Sequence, residues 1–299
     1  MASCELVMGI LFLFQTAVGL LGNFLLLYFY ILTLFTKHTQ RPTGLILNQL
    51  ALANFLVLSS RGIFEALAAF CLDYFLGEAL CKITFYTHRV AGGVSLCTTH
   101  LLSGIQAITI SPNNSKWAEL KLKASIFVQT SCCFCWILHL LVNIVVPVKV
   151  THPENTINIT HRKFGLCSVE GSDSSIASLY AFISTFLDIL CLGSMGWASG
   201  SIVLFLQRHK QRVQVPSPHQ SPFQSFPETT ATHTVLPLVS LFVSFYFLSS
   251  VILLYMIYVV KPSQQLANIS TFLAACFPAF SPYLLIKQFY NLCNIIDEI

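Results

Sequence analysis

The residues best suited to chemistry in this 299-residue sequence are ionisable side chains that interrupt long apolar segments. His88 and Arg89 lie in one such segment, and Asp188 lies near the middle of another. A charge at the centre of a membrane helix costs about 3 kcal/mol, so these residues usually face a protein interior or a wet cavity. We interpret all three as candidate ligand-binding residues. Pairing of Asp188 with Arg89 or His88 is the structural alternative.

A second ionisable pair, Arg61 and Glu65, stands four residues apart, so both side chains share one helix face and can contact each other. A structural ion pair near the membrane interface and a ligand-facing role explain this pair equally well, and both are kept. The aromatic residues Phe85 and Tyr86 adjoin His88 and are candidates for lining a small-molecule pocket. Aromatic residues on a helix are, however, more often packing residues.

The sequence gives no support for catalysis or for a metal centre. Cys132, Cys133 and Cys135 fall on several faces of one apolar segment without nearby acids, which favours packing over metal binding. The sequence contains no His-Glu-x-x-His, no Gly-x-Ser-x-Gly and no phosphate-binding glycine loop. We therefore predict a protein that is not an enzyme and that needs no cofactor or metal.

Composition predicts the elements that hold these residues. Hydrophobic residues make up 55% of the chain and charged residues 9%, and mean hydropathy is +0.72. A soluble domain carries about 25% charged residues, so the chain is predicted to be an all-α integral membrane protein. We expect it to contact membrane lipid and to bind no nucleic acid. One bundle over residues 1–286 would contain seven transmembrane helices, followed by a short cytoplasmic tail at 287–299. The apolar segments cover about 6–34, 45–70, 82–110, 124–146, 176–206, 235–260 and 265–286.

Basic residues in the short loops predict the orientation of the bundle. Nine lie after the first, third and fifth segments or in the tail, and four lie on the opposite side. This bias places the N-terminus outside the cell. The nine are Lys37, Arg41, Lys116, Lys121, Lys123, Arg208, Lys210, Arg212 and Lys287, and the four are Lys149, Arg162, Lys163 and Lys261.

Two features of the loops agree with that orientation. Asn158 begins a glycosylation sequon in the long loop placed outside, whereas the sequon at Asn113 falls inside, where it cannot be glycosylated. Cys81 and Cys167 both fall at the oxidising outer face, and we predict that they form a disulfide. The chain has 11 cysteines, an odd number that excludes complete pairing. The alternative, with both cysteines unpaired, is the weaker one.

Small and amide residues predict how the helices pack. Asn23 and Asn54 are interpreted as interhelical hydrogen-bonding residues, not as ligand contacts. Gly196 and Gly200 have the small-xxx-small spacing that favours close helix packing, although this spacing does not by itself indicate dimerisation.

Several longer strings resemble the vomeronasal type-1 (pheromone) receptor family. They include LLGNF in the first segment, LALANFLVL in the second and HRVAGGVSLCTTHLLSGIQAITISPNNSKWAELK in the third with its inner end. RHKQRVQ, SFPETTATHT, FVSFYFL and LANISTFLAACFPAFSPYLLI extend the resemblance to about residue 286. The family typically reads Ala-Arg-Gly-Val where this chain has Ala91-Gly92-Gly93-Val94, so a basic residue is absent from the third helix.

The resemblance implies a multi-pass G-protein-coupled receptor of the plasma membrane that detects pheromones or small odorants. Its partners would be a small-molecule ligand, a heterotrimeric G protein and membrane lipid. A bitter taste-type receptor and a membrane transporter are the alternatives. The basic residues at the inner ends of the third and fifth segments are expected to contact the G protein, unless they only anchor the chain against anionic lipid. They are Lys116, Lys121, Lys123, Arg208, Lys210 and Arg212.

Overall fold

The computed structural model describes residues 2–36, 42–63, 78–110, 123–151, 162–164, 167–169, 175–213, 237, 239–249, 251–252, 255 and 264–297. Seven helices within these ranges form one bundle, which confirms the predicted fold. They are α1 (Ala2–Thr36), α2 (Pro42–Val57, continued by a π-helical turn over Leu58–Gly62), α3 (Glu78–Ile110), α4 (Ala124–Val142), α5 (Ser175–Val213), α6 (Val239–Ser249) and α7 (Gln264–Asp297).

Apolar length and burial agree with a membrane bundle. In the described ranges, five helices are long and apolar enough to cross a bilayer: α1, α2, α4, α5 and α7. The helix α3 is packed on several sides, because it contacts α2, α4 and α5. On α4 the buried residues Val128, Cys132, Cys135 and His139 recur every three or four positions, as expected for a helix with one inward face. Large apolar side chains on the other faces point outward, towards lipid.

Helix boundaries differ from the predicted ones, for example by four residues at the start of α3 and by eleven at the end of α7. The helix α3 begins at Glu78, four residues before the predicted start, and Glu78 forms an ion pair of 2.6 Å with Lys82 in its first turn. The helix α7 continues to Asp297, past the predicted boundary at 286. The end of the second segment, predicted near 70, lies outside the described residues.

A proline explains why α4 ends at Val142 and not at 146. Pro147 has no N–H to donate to the Asn143 carbonyl, so the α-helical ladder stops there. The carbonyl instead accepts the N–H of Val146 in a tighter 3-10 turn over Asn143–Val145, and a four-residue helix follows over Val146–Lys149.

A small sheet adds to the predicted all-helical architecture. The strands β1 (Val150–Thr151), β2 (Arg162–Phe164) and β3 (Cys167–Val169) form an antiparallel sheet in the order β1-β3-β2. They belong to the loop between α4 and α5, and β1 contacts α3. Strands of two and three residues are too short to produce a recognisable alternating pattern in sequence.

The contact between α1 and α7 supplies a hydrogen bond that α7 lacks. Pro282 has no N–H, so the Pro278 carbonyl, four residues earlier, lacks its helical donor. The Asn23 side chain of α1 donates to that carbonyl at 2.9 Å. The predicted interhelical role of Asn23 is thereby confirmed, and the buried carbonyl is satisfied without help from α7 itself.

Close approach of helices depends on glycines other than those predicted. A Cβ at Gly19 would lie 2.8 Å from the Ala279 Cα, and one at Gly22 would lie 2.8 Å from the Pro282 Cγ. A Cβ at Gly196 or Gly200 would meet no described atom within 4 Å. The interpretation of these two glycines as close-packing residues is therefore wrong for the described chain, and the tight seam is the one that brings Asn23 to α7.

Candidate ligand-binding site

The centre of the candidate site is the Asp188 carboxylate on α5. Tyr246 of α6 donates its hydroxyl to Asp188 Oδ2 at 2.7 Å. The sequence suggests Arg89 or His88 as the partner of Asp188, but its hydrogen bond goes to this tyrosine instead. Arg89 remains close enough to interact electrostatically with both groups. The presence of Tyr246 in an apolar segment could have indicated this bond, because a buried tyrosine hydroxyl usually has a hydrogen-bond partner.

Arg89 lies in the half of α3 nearer Glu78, which the predicted orientation places outside and which is called the outer half below, and Arg89 is exposed. Its guanidinium carbon is 6.0 Å from the centre of the Tyr180 ring on α5, which is the outer limit of a cation–π contact. Since Tyr180 also donates to Asn143 Oδ1 at 2.8 Å, its ring is fixed between α4 and α5. Arg89 is thus placed at the outer end of the space between α3 and α5.

His88 lies against α2 and not beside Asp188. Its ring is next to the Val57 backbone, with Arg61 and Arg89 as the neighbouring charges. Its Nδ1 is buried and has no hydrogen-bond partner among the described groups. Tyr86 donates to the Leu140 carbonyl at 3.0 Å, which makes it a packing residue between α3 and α4.

Of the predicted pair Arg61 and Glu65, the structure describes Arg61. Arg61 Nη2 donates to Thr271 Oγ1 of α7 at 3.0 Å, so this arginine links α2 to α7. Glu65 lies outside the described residues, and its predicted ligand contact stays a prediction.

Two contacts fix the register between α3 and α5. The Cys97 and Cys191 sulfurs are 3.7 Å apart, and Ser194 Oγ is 2.8 Å from His100 Nδ1. Both pairs differ by 94 in residue number, so these two helices run side by side at matched heights. By this register Asp188 is level with Val94, and Tyr180 is level with Tyr86. Arg89 therefore stands outward of Asp188 by about five residues, roughly 7.5 Å along the axis.

A packed aromatic layer closes the site from below. The Phe242 ring stacks on Tyr246 with 5.8 Å between ring centres, and it meets Phe277 edge-on at 4.4 Å. Leu96 of α3 belongs to the same buried cluster. Asp188 and Tyr246 thus lie directly above the core, at the bottom of the outer half of the bundle.

A polar triad joins α2, α3 and α7. Asn54 Nδ2 donates to Ser281 Oγ at 3.0 Å, and Ser95 Oγ donates to Asn54 Oδ1 at 2.6 Å. All three residues are buried. The prediction that Asn54 is an interhelical hydrogen-bonding residue is confirmed.

Two of the three cysteines of α4 pack inside the bundle. Cys132 and Cys135 are buried, Cys133 is exposed, and all three are free thiols. Within the described ranges no group of three or more His, Cys, Asp or Glu residues could hold a metal ion.

Cys81 is buried and disulfide-bonded. Its partner is not one of the six free cysteines Cys97, Cys132, Cys133, Cys135, Cys191 and Cys276. The predicted partner, Cys167, begins β3, which pairs with β1, and β1 in turn contacts α3. The pairing of Cys81 with Cys167 stays a prediction that this strand arrangement supports.

We expect Cys81→Ser and Cys167→Ser to lower surface expression equally, because each removes the same bond, worth about 2–5 kcal/mol. The double variant should be no worse than either single one. Cys133→Ser, which removes a free exposed thiol, is the matched control. Peptide mapping without reduction should show the linked pair, and free thiols at both positions in surface receptor would refute the pairing.

The remaining predicted residues lie at the ends of helices or outside the described chain. Lys123 precedes α4, and its carbonyl accepts the Phe127 N–H at 3.0 Å. The last turns of α5 contain Arg208, Lys210 and Arg212. Lys116, Lys121 and the glycosylation site Asn158 fall outside the described residues, so their roles stay predictions.

Comparison with known proteins shows which receptors the chain is similar to. The family model that describes the vomeronasal organ pheromone receptor family matches residues 6–297. Vomeronasal type-1 receptor 1 of Homo sapiens is 44% identical over 281 residues, covering 94% of this chain and 79% of that protein. Vomeronasal type-1 receptor 4 of Homo sapiens is 43% identical and covers 98% of both chains.

A more distant relative and a solved structure extend the comparison. Olfactory receptor class A-like protein 1 of Danio rerio is 30% identical, covering 95% of this chain and 90% of that protein. The crystal structure of squid rhodopsin superposes with a TM-score of 0.72 at 16% identity, covering 95% of this chain and 81% of that one. At that identity the likeness shows the seven-helix receptor fold alone.

Proposed function

The chain belongs to the vomeronasal type-1 receptor family, and we propose that it is a chemosensory receptor that detects pheromones or small odorants and activates a heterotrimeric G protein. It is a multi-pass plasma-membrane protein, and its relatives are receptors and not enzymes. The family match favours this function over the bitter taste-type receptor and the transporter.

The observation that carries the proposal is a pair of opposite charges, Asp188 and Arg89, that interact electrostatically without a direct hydrogen bond. Asp188 hydrogen-bonds to Tyr246, and Arg89 lies over a tyrosine ring, yet the two charges do not bond to each other. Charges inside a membrane protein are costly, and they usually mark a functional site. A ligand between α3, α5 and α6 would meet both, above a floor formed by Phe242 and Leu96.

The opposite end of the same helices supplies the proposed G-protein contact. The inner end of α5 carries Arg208, Lys210 and Arg212, three basic residues within five positions. A movement of α5 against α3 when a ligand binds near Asp188 would be transmitted along one continuous helix to these residues. The segment with Lys116 and Lys121 and the nearby Lys123 would complete the contact surface.

Replacing Arg208, Lys210 and Arg212 together with glutamine is expected to abolish G-protein activation while surface expression stays normal. The other inner basic residues, such as Lys37 and Arg41, remain to hold the orientation. The measurement is G-protein dissociation in cells that express the receptor, tested against a panel of volatile and small polar compounds. Lys82→Gln, which neutralises a lysine at the start of α3, is the control.

Two outcomes would contradict this proposal. Full activation by the triple variant at normal surface level would remove this segment from signalling. Loss of insertion, with normal signalling by the correctly placed molecules, would show that the three residues only anchor the helix against lipid.

A further inference from the structure

Two adjacent glycines on α3 have opposite surroundings. A Cβ on Gly93 would overlap the His139 ring, so this glycine is required for packing against α4. A Cβ on Gly92 would meet no described atom within 4 Å. Gly92 therefore borders open space, although it is in the middle of α3, which contacts α2, α4 and α5.

That open space faces the interior of the bundle and not lipid. An α-helix turns by about 100° per residue, so residues three, four or seven positions apart share a face. Gly92 therefore shares a face with Phe85 and Arg89, which precede it, and with Leu96, which follows it. Leu96 is 3% exposed and belongs to the core cluster that contains Met195 of α5, Phe242 of α6 and Phe277 of α7. The face of Gly92 is thus closed below by Leu96, and Arg89 lies on its other side.

The register of α3 and α5 places the two charges at either end of this space. Asp188 is two residues deeper than Gly92, and Tyr180, which supports the Arg89 guanidinium, is six residues shallower. A molecule beside Gly92 would therefore have a carboxylate at its inner end and a guanidinium at its outer end.

Both charges retain bonding capacity. Asp188 is half-buried and receives one hydrogen bond among the described residues, at Oδ2 from Tyr246, which leaves Oδ1 for another donor. Arg89 lies over the Tyr180 ring and interacts electrostatically with Asp188, and its N–H groups can donate to a ligand. A ligand with a hydrogen-bond donor at one end and an acceptor at the other could therefore bond to both groups.

We propose that Gly92 is a specificity-determining residue, and that the space beside it takes a compact dipolar ligand. The ligand has an amine or hydroxyl for Asp188 at its inner end and a carbonyl or carboxylate for Arg89 at its outer end. The absence of a side chain at Gly92 provides the room between them. This inference rests on the proposed receptor function and specifies its ligand.

Thiol labelling of G92C tests the space without requiring a known ligand. Two membrane-impermeant methanethiosulfonates, one with a trimethylammonium group and one with a sulfonate group, are added outside intact cells. The introduced thiolate attacks the reagent's sulfenyl sulfur, a disulfide forms, and methanesulfinate leaves. G104C is the matched control, because Gly104 also has no described atom within 4 Å of its Cβ but lies about twelve residues, roughly 18 Å, further along α3.

We expect G92C to be labelled at least tenfold faster per surface receptor than G104C, with unsubstituted receptor as the background for native thiols. The cationic reagent should react several-fold faster than the anionic one, because Asp188 is closer to position 92 than the Arg89 guanidinium is. Adding D188N should remove that preference, and adding R89Q should increase it. If G92C fails to reach the surface, D188C serves as the reporter from the opposite wall and should also exceed G104C.

Equal labelling of G92C and G104C would show that the space is closed and would overturn the proposal. So would a charge preference that D188N leaves unchanged, since the carboxylate would then face elsewhere. None of these readouts involves a G protein. Failure of the signalling assay with normal labelling would therefore reject the proposed function and leave the space intact, and the reverse result would reject the Gly92 site alone.

Discussion

Replacing Gly93 with alanine is expected to remove most of the folded receptor from the cell surface. The new methyl group would occupy the position of the His139 ring, and both helices are held there by other contacts. Cys97 Sγ lies 3.3 Å from His139 Nε2, and Asn143 Nδ2 donates to the His139 carbonyl at 2.8 Å. Overpacking of this kind costs about 1–3 kcal/mol, enough to change the abundance of a marginally stable receptor several-fold.

The neighbouring residue is the control for this experiment. Gly92→Ala adds the same methyl group one position away, where it meets no described atom, and surface expression should be unchanged. His139→Ala in the Gly93→Ala background should recover much of the loss, because it empties the volume that the methyl group needs. Equal surface expression of Gly93→Ala and Gly92→Ala would contradict the described contact between α3 and α4.

Replacing Asn23 with leucine is expected to destabilise the receptor by about 1–3 kcal/mol, the cost of leaving a buried polar group without its partner. Leucine has a similar size, so packing changes little. The Pro278 carbonyl would lose its donor from α1, and Pro282 cannot supply one from α7. The measurement is the midpoint of thermal unfolding in detergent, followed by size-exclusion chromatography of labelled receptor.

A second substitution distinguishes this cause from general damage. Pro282→Ala restores an N–H four residues after Pro278, so Asn23→Leu should cost much less in that background. The interaction energy of the double-mutant cycle measures the repair directly. Equal destabilisation of Asn23→Leu with proline and with alanine at position 282 would show that Asn23 acts by another route.

The apolar segments of the sequence predicted the seven helices, because an apolar stretch long enough to span a bilayer is a strong signal. Their ends were less predictable, since they depend on local events such as the missing N–H of Pro147 and the first-turn ion pair of Glu78 with Lys82. The short strand that begins at Cys167 was not predicted, because its pairing comes from residues distant in sequence.

In the candidate site, too, some residues were predictable from sequence and their long-range contacts were not. The cost of a charge in an apolar segment identified Asp188 and Arg89 from sequence alone. The bond from Tyr246 to Asp188 joins residues 58 positions apart, so no local spacing could indicate it. Gly92 and Gly93 look alike in the sequence, and only the position of His139 distinguishes the packing glycine from the one beside open space.

The most direct test of the account is nucleotide exchange on a purified heterotrimeric G protein, with the receptor in lipid nanodiscs and a compound that is active in the cell screen. We expect the compound to accelerate exchange through the unsubstituted receptor. Asp188→Asn, which keeps the size of the side chain and can still accept the Tyr246 hydrogen bond, should need at least tenfold more compound for half-maximal exchange. Identical dose–response curves for the two receptors would contradict a ligand site at Asp188.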